Sequence, residues 1–211
     1  LFVTAAEGAR RPATVVGVDE AVDVALLRVE GKPLGKSLAV APVVPKVGTV
    51  VVVVAEPYGL GVVGTSGVVA SPGSSAADVT CYEDYLQVTA PIVPGMSGAP
   101  VVTVEGALIG LATADVRMSE SGPSLGFVVP ASTVSRVAAD IAKGGTVVRG
   151  WLGVEVQPIG LRMSRALGLS EARGALVCDI LDPAAASGLQ RGDVVVAVNE
   201  KPVRSAGCFR R

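Results

Sequence analysis

Short runs of β-branched and aliphatic residues, broken at regular intervals by turn residues, dominate the first 130 positions of the chain. The runs ATVVGV from Ala13 and DVALLRV from Asp23 come first, and GTVVVVVAEPYG from Gly48 follows a loop holding Pro33, Gly35, Pro42 and Pro45. Further runs keep the same spacing: GVVGTSGVVAS, YLQVTAPIV, APVVTVEG, ALIGLATADV and SLGFVVP. Strands this short, punctuated by glycine and proline, are the rhythm of an antiparallel sandwich or barrel rather than of alternating strands and helices. A single helical pattern follows. Val134, Val137, Ala138 and Ile141 recur at i, i+3, i+4 and i+7, Ser132 is placed to cap them and Gly144-Gly145 to end them.

A linker at about 143–149 then separates a second unit, 150–211, from the first, 1–142. GWLGVEVQ opens this unit with a new strand pattern. Asp182-Pro183, three alanines and Gly188 form a short helix with both ends marked, and GDVVVAVNEKPV is a strand leading into a turn. A unit of this size is small for a self-sufficient core, so the sequence reads as cut off at Arg211.

Composition narrows the classes. Half of the residues are hydrophobic but only 3% are aromatic, so the cores are built from valine, alanine, leucine and isoleucine. The net charge of −1, with no basic stripe, gives no footprint for nucleic acid or an anionic membrane. The strongest apolar stretch, Val47 to Ala55, is bracketed by Lys46 and Glu56 and is well short of the roughly 20 residues a spanning helix needs. Lys46 itself reads as the flank of that strand rather than as a base. Three widely separated cysteines, Cys81, Cys178 and Cys208, suggest neither a disulfide framework nor a zinc site, and no metal or organic cofactor is expected. The acidic and aromatic residues Tyr82, Glu83, Asp84 and Tyr85 read as a solvated loop.

Candidate chemistry centres on PIVPGMSGAP, residues 91–100, where Ser97 is bracketed by small residues. A nucleophilic serine needs its hydroxyl on a sharp turn, beside backbone N–H groups that can hold the charge forming on a carbonyl oxygen. Gly95-Met96-Ser97 offers such a turn, though an ordinary turn between strands has the same look. The neighbouring stretches, in order, resemble the HtrA/Deg family of trypsin-like serine proteases with a C-terminal PDZ domain. PATVVGVDEAVDVALLRVEG is similar to the segment bearing the family's catalytic aspartate, and YLQVTAPIVPGMSGAPVV to the nucleophile segment. GALIGLATADV and GPSLGFVVP resemble the strands of the substrate pocket, and the sequence from VVRGWLGVEVQ to NEKPV resembles much of a PDZ domain.

The resemblance implies a mainly β fold, a trypsin-like double β-barrel with its N-terminal barrel incomplete, followed by a partial PDZ domain. It implies Ser97 as nucleophile, Asp23 as the residue orienting a histidine, and Gly95, Met96 and Ser97 as the oxyanion hole. Leu108, Ile109, Gly110, Leu111, Ala112 and Phe127 would form a substrate pocket without a facing carboxylate, suited to small aliphatic residues. Trp151, Leu152, Gly153 and Val154 would receive a peptide C-terminus, with the opposite wall of that groove a helix starting near Ser205. The implied activity is endoproteolysis of unfolded or misassembled proteins, the implied location extracytoplasmic, and the implied assembly a trimer.

The sequence contains no histidine. Only 22 residues precede Asp23, fewer than separate the family's histidine from its aspartate, so that segment is expected upstream of Leu1 and the chain as it stands is expected to be inert. Five positions also depart from the family pattern. Met96 and Val93 stand at asparagine positions, Ala99 at a glycine position, and Val88-Thr89 at a threonine-aspartate pair. They suggest an extra methyl near the scissile bond and a lost acidic anchor for the nucleophile loop. The alternative function is accordingly a degenerate protease-PDZ protein that binds partners without cutting them.

Overall fold

The computed structural model describes residues 1–5, 8–59, 61–74, 85–113, 125–147, 150, 152–182, 188–203 and 206. The chain divides into two compact units, Leu1–Val148 and Arg149–Arg211.

In the first unit, β1 (Phe2–Thr4), β2 (Arg10–Asp19) and β3 (Val24–Val29) form an antiparallel three-stranded sheet in that order. Six further strands close into a barrel: β4 (Val50–Ala55), β5 (Val63–Ser74), β6 (Tyr85–Val88), β7 (Pro100–Thr103), β8 (Leu108–Thr113) and β9 (Gly126–Pro130). Their order around the barrel is β4-β5-β6-β9-β8-β7, every pair antiparallel, and β4 closes against β7 by pairing Val51 to Thr103 and Val53 to Val101. Because successive side chains of a strand face opposite ways, Val51 and Val53 of the valine run point into the barrel while Val50 and Val54 stay exposed. Closure also removes the unpaired strand edges that would otherwise invite association.

Two apolar clusters organise this unit. The barrel interior packs Val51, Val53, Val69, Leu86, Val88, Met96, Val101 and Ile109. A second cluster joins Val22 of the turn after β2 and Val24 of β3 to Tyr85, Phe127 and Val129 of the barrel and to Val137 and Ile141 of the helix. That helix, α1, spans Ala131–Gly144. Val137 and Ile141 are buried as the periodicity requires, and Gly145 adopts the left-handed conformation, φ 76°, with its N–H bonded to Ile141 O at 2.7 Å. Ser132 lies inside the helix rather than at its cap. Pro130 holds the cap position, since its fixed φ of −58° carries β9 straight into the first turn.

The second unit contains β10 (Val154–Pro158), the short helix α2 (Leu161–Ala166), β11 (Ala175–Ile180) and β12 (Val194–Val195), with β10-β11-β12 one antiparallel sheet. A hairpin of β13 (Ala197–Val198) and β14 (Lys201–Pro202) turns through Asn199 and Glu200, both at positive φ as such tight turns require. Val156, Ala175, Val177, Val203 and Ala206 are its core. Residues 183–187, expected as a capped helix, lie outside the described residues, as do Ser205 and the positions after Ala206. Among the described residues no helix is long and apolar enough to cross a membrane.

Candidate active site

The candidate acid sits on the turn between β2 and β3. Asp19, 4% exposed, accepts the Ala21 N–H on Oδ1 at 3.2 Å, closing the turn in the manner favoured by aspartate. Val22, fully buried, plugs the turn into the second apolar cluster. Asp23 follows at φ 55°, a left-handed conformation that short polar side chains tolerate, and its side chain is held at the surface. There Thr113 Oγ1 donates to Asp23 Oδ2 at 3.3 Å across 90 positions of sequence.

The candidate nucleophile turn is held from several sides. Thr65 Oγ1 on β5 donates to Pro91 O at 2.9 Å. Thr89 Oγ1 accepts the Val68 N–H at 2.9 Å, and the Thr89 N–H is returned to Val68 O at 2.9 Å. Within the turn, Val93 O accepts the Met96 N–H at 3.0 Å and the Val93 N–H points at Met96 Sδ at 3.4 Å. Gly95 takes φ 89°, which L side chains rarely adopt, and its backbone packs on Pro57 and Tyr58 of the short turn Pro57–Gly59. Beyond Ser97, which is exposed, Gly98 N–H donates to Ala112 O at 2.8 Å and Ala112 N–H to Ala99 O at 2.8 Å.

One strand end therefore receives both parts. Ala112 fixes the residues that follow Ser97, and the next residue, Thr113, fixes Asp23.

Several expected roles change in this setting. The Ala99 methyl belongs to the barrel core, with Ala99 only 8% exposed, because the ladder to Ala112 turns it inward instead of toward an incoming substrate. The Thr89 hydroxyl accepts the Val68 N–H and so ties the strand before the turn to β5. Met96 has its N–H spent on Val93 and its side chain in the core, so it shapes the turn. Ile109 and Ala112 lie in the barrel core, and Phe127 stacks edge-on against Tyr85, ring centroids 6.1 Å apart, inside the second cluster. Tyr85 is accordingly buried, 1% exposed, and not part of a solvated loop; Tyr82, Glu83 and Asp84 lie outside the described residues. Gly110 is buried, while Leu108 and Leu111 are half-buried. Leu152 is 41% exposed and Gly153 O accepts N–H groups from Leu181 at 2.7 Å and Asp182 at 2.9 Å; Trp151 lies outside the described residues.

Sequence reading passed over Ile92. Its side chain fills the space beside Gly126, where an added Cβ would come within 2.6 Å of Ile92 Cδ1. Thr113 and Thr65 were also missed, since a lone threonine on a strand carries no local sign of a long-range bond. Among the described residues no group of three His, Cys, Asp or Glu side chains could hold a metal ion.

Residues 1–111 match the family model of the trypsin-like peptidase domain. Among solved structures, HtrA-type protease AlgW with a tripeptide is similar over the whole of this chain and 69% of its own, at 33% identity and a TM-score of 0.79. The chain belongs to the HtrA-type trypsin-like serine proteases. Among curated relatives of this HtrA-type chain, "Probable periplasmic serine endoprotease DegP-like" of Chlamydia pneumoniae is 34% identical over 100% of this chain and 43% of its own length. The protein of that same name in Rhizobium meliloti (strain 1021) is 38% identical over 94% of this chain and 40% of its own. The HtrA-type chain thus spans less than half the length of the curated relatives it matches.

Proposed function

We propose that the chain carries the nucleophile and the acid of an HtrA-type serine endopeptidase that cleaves unfolded or misassembled proteins outside the cytoplasm. In this reading Ser97 Oγ attacks the scissile carbonyl and forms an acyl-enzyme. Gly95 and Ser97 N–H groups hold the oxyanion, Met96 having its own N–H engaged, and Asp23 orients the general base. That base is a histidine, and it is not among the 211 residues. The observation that supports the reading best is the convergence on β8, where Ala112 binds the nucleophile turn and Thr113 binds Asp23.

In this reading the acyl-side pocket lies at Ile92, whose side chain fills the space beside Gly126, and it fits small aliphatic residues before the cut. The second unit, 150–211, is assigned as a PDZ domain that receives peptide C-termini at Leu152, Gly153 and Val154, a role the engagement of Gly153 O by two N–H groups would support by fixing that loop. Peptide ligands and a periplasmic location are properties of the AlgW structures and the DegP-like relatives. They extend to this chain as part of the proposal.

The test is digestion of unfolded casein by the full-length gene product and by its Ser97→Ala variant. Cleavage after valine, alanine or isoleucine that vanishes in the variant supports the reading. Cleavage clustered after lysine or arginine overturns the pocket assignment, and no cleavage at all favours the binding scaffold.

A further inference from the structure

The nucleophile segment leaves the barrel through a slot between two glycines. An added Cβ on Gly67 of β5 would fall 2.2 Å from Ala90 N, and one on Gly126 of β9 would fall 2.9 Å from Ala90 O and 2.6 Å from Ile92 Cδ1. Neither glycine has a positive φ, so both supply space rather than conformational freedom. Ala90 is accordingly fully buried, held from both sides. One residue further on, the hold passes to a side chain. Pro91 has no N–H, so its carbonyl is the backbone group it can offer to the barrel, and Thr65 Oγ1 donates to that oxygen at 2.9 Å. Thr65 and Gly67 lie two apart on β5 and face the same way. The missing side chain at one makes room for Ala90, and the hydroxyl at the other takes hold of Pro91.

Resting on the peptidase reading and its acyl-side pocket at Ile92, we infer that Thr65 is a positioning residue for that pocket and sharpens the choice of small aliphatic side chains before the cut. The peptide bond is planar, so the Pro91 carbonyl and the Ile92 N–H lie in one rigid plate. Holding the oxygen restrains the plate, and with it the direction in which the Ile92 side chain leaves the backbone. Ile92 then stays pressed beside Gly126, where it limits the room for a substrate side chain. The effect runs through Ile92 and leaves the reacting atoms to Ser97 and its partners.

Peptide thioesters ending in valine or leucine read this pocket through the thiol they release. The ratio of kcat/KM for the two is internal to each enzyme and independent of how much of it is folded. In the full-length gene product the valine ester should lead. Thr65→Val keeps the shape of the side chain but loses the donor, and the valine-to-leucine ratio should fall by roughly threefold to tenfold, the worth of one hydrogen bond. Thr65→Ser keeps the donor and should restore most of the ratio. In an Ile92→Ala background, Thr65→Val should leave the ratio where Ile92→Ala alone puts it, because the residue through which Thr65 acts is gone.

An unchanged ratio in Thr65→Val, a Thr65→Ser ratio equally low, or a further fall in the double variant overturns the assignment. Thr65→Ala is a second variant without the donor and is read in the same way. Failure of both to fold, seen by circular dichroism, also overturns the assignment by showing that the hydroxyl serves the barrel. A wild-type lead for the leucine ester overturns the choice of small side chains. Wild-type protein that releases thiol from neither ester refutes the peptidase reading itself, a result distinct from all of these.

Discussion

Thr113 Oγ1 donates a hydrogen bond to Asp23 Oδ2 at 3.3 Å, linking the last residue of a barrel strand to the turn between β2 and β3. Thr113 is 3% exposed and so is fixed by its packing, which lets it fix the carboxylate in turn. A hydrogen bond to a charged group is worth about 1.5–3 kcal/mol, or roughly tenfold to a hundredfold in rate, and the long distance here argues for the low end. Thr113→Val in the full-length protein should lower kcat/KM for a valyl thioester about tenfold, with Thr113→Ser retaining most of it. Equal rates in all three forms would remove Thr113 from the machinery.

The placement of Phe127 separates a core role from a pocket role. It is 1% exposed and contacts the cluster shared by the barrel, the three-stranded sheet and α1. Truncating such a residue costs about 3–5 kcal/mol through lost transfer energy and the cavity left behind. Urea unfolding of the 211-residue chain should therefore show Phe127→Ala destabilised by that amount. A pocket residue would leave the unfolding midpoint near its starting value.

Thr89 gives a milder test. Its hydroxyl accepts the Val68 N–H at 2.9 Å in an exposed setting where water can substitute. Thr89→Val should cost about 0.5–1 kcal/mol in the same unfolding measurement. Thr89→Asn keeps an acceptor without adding charge and should cost less, which would show that position 89 works through hydrogen bonding.

These contrasts locate what the sequence made legible. The runs that became β2 to β9 were readable because alternation and turn residues are local signals, as in the buried Val51 and Val53 between the exposed Val50 and Val54. Helix α1 was readable from its period. Ser97 was proposed from its glycine bracket and Asp23 from the order of motifs around it, and both stay candidates. The bonds that assemble the site were not, because Thr113 to Asp23, Thr65 to Pro91 and Thr89 to Val68 join residues far apart in sequence whose partners leave no periodic trace. Phe127 lies in the second apolar cluster, a place its strand did not announce. A buried strand of aliphatic and aromatic residues reads alike whether it lines a barrel, an inter-sheet cluster or a pocket. Helix α2, with six residues and no side-chain cap, is too short to announce itself.

The Ile92 side chain should set the acyl-side preference. It occupies the space beside Gly126, so removing its branched carbons opens room for a longer side chain without disturbing the backbone. One methylene in an apolar pocket is worth about 1–3 kcal/mol, and Ile92→Ala removes more than one. Peptide-library digestion with the full-length variant should show cleavage moving from valine toward leucine, methionine or phenylalanine. An unchanged profile would place the pocket elsewhere.

The last expectation concerns the nucleophile in the 211-residue chain, which contains no histidine. Serine is a weak nucleophile at its ordinary pKa and attacks only when a positioned base takes its proton. Without that base, turnover falls by about 10^6, and what remains comes from oxyanion donors and binding. A fluorophosphonate probe reports on the same activated hydroxyl. Ser97 in this chain should remain unlabelled over hours, while the full-length gene product should be labelled within minutes and lose its label in Ser97→Ala. Rapid labelling of the short chain would show that another group has taken the base's place.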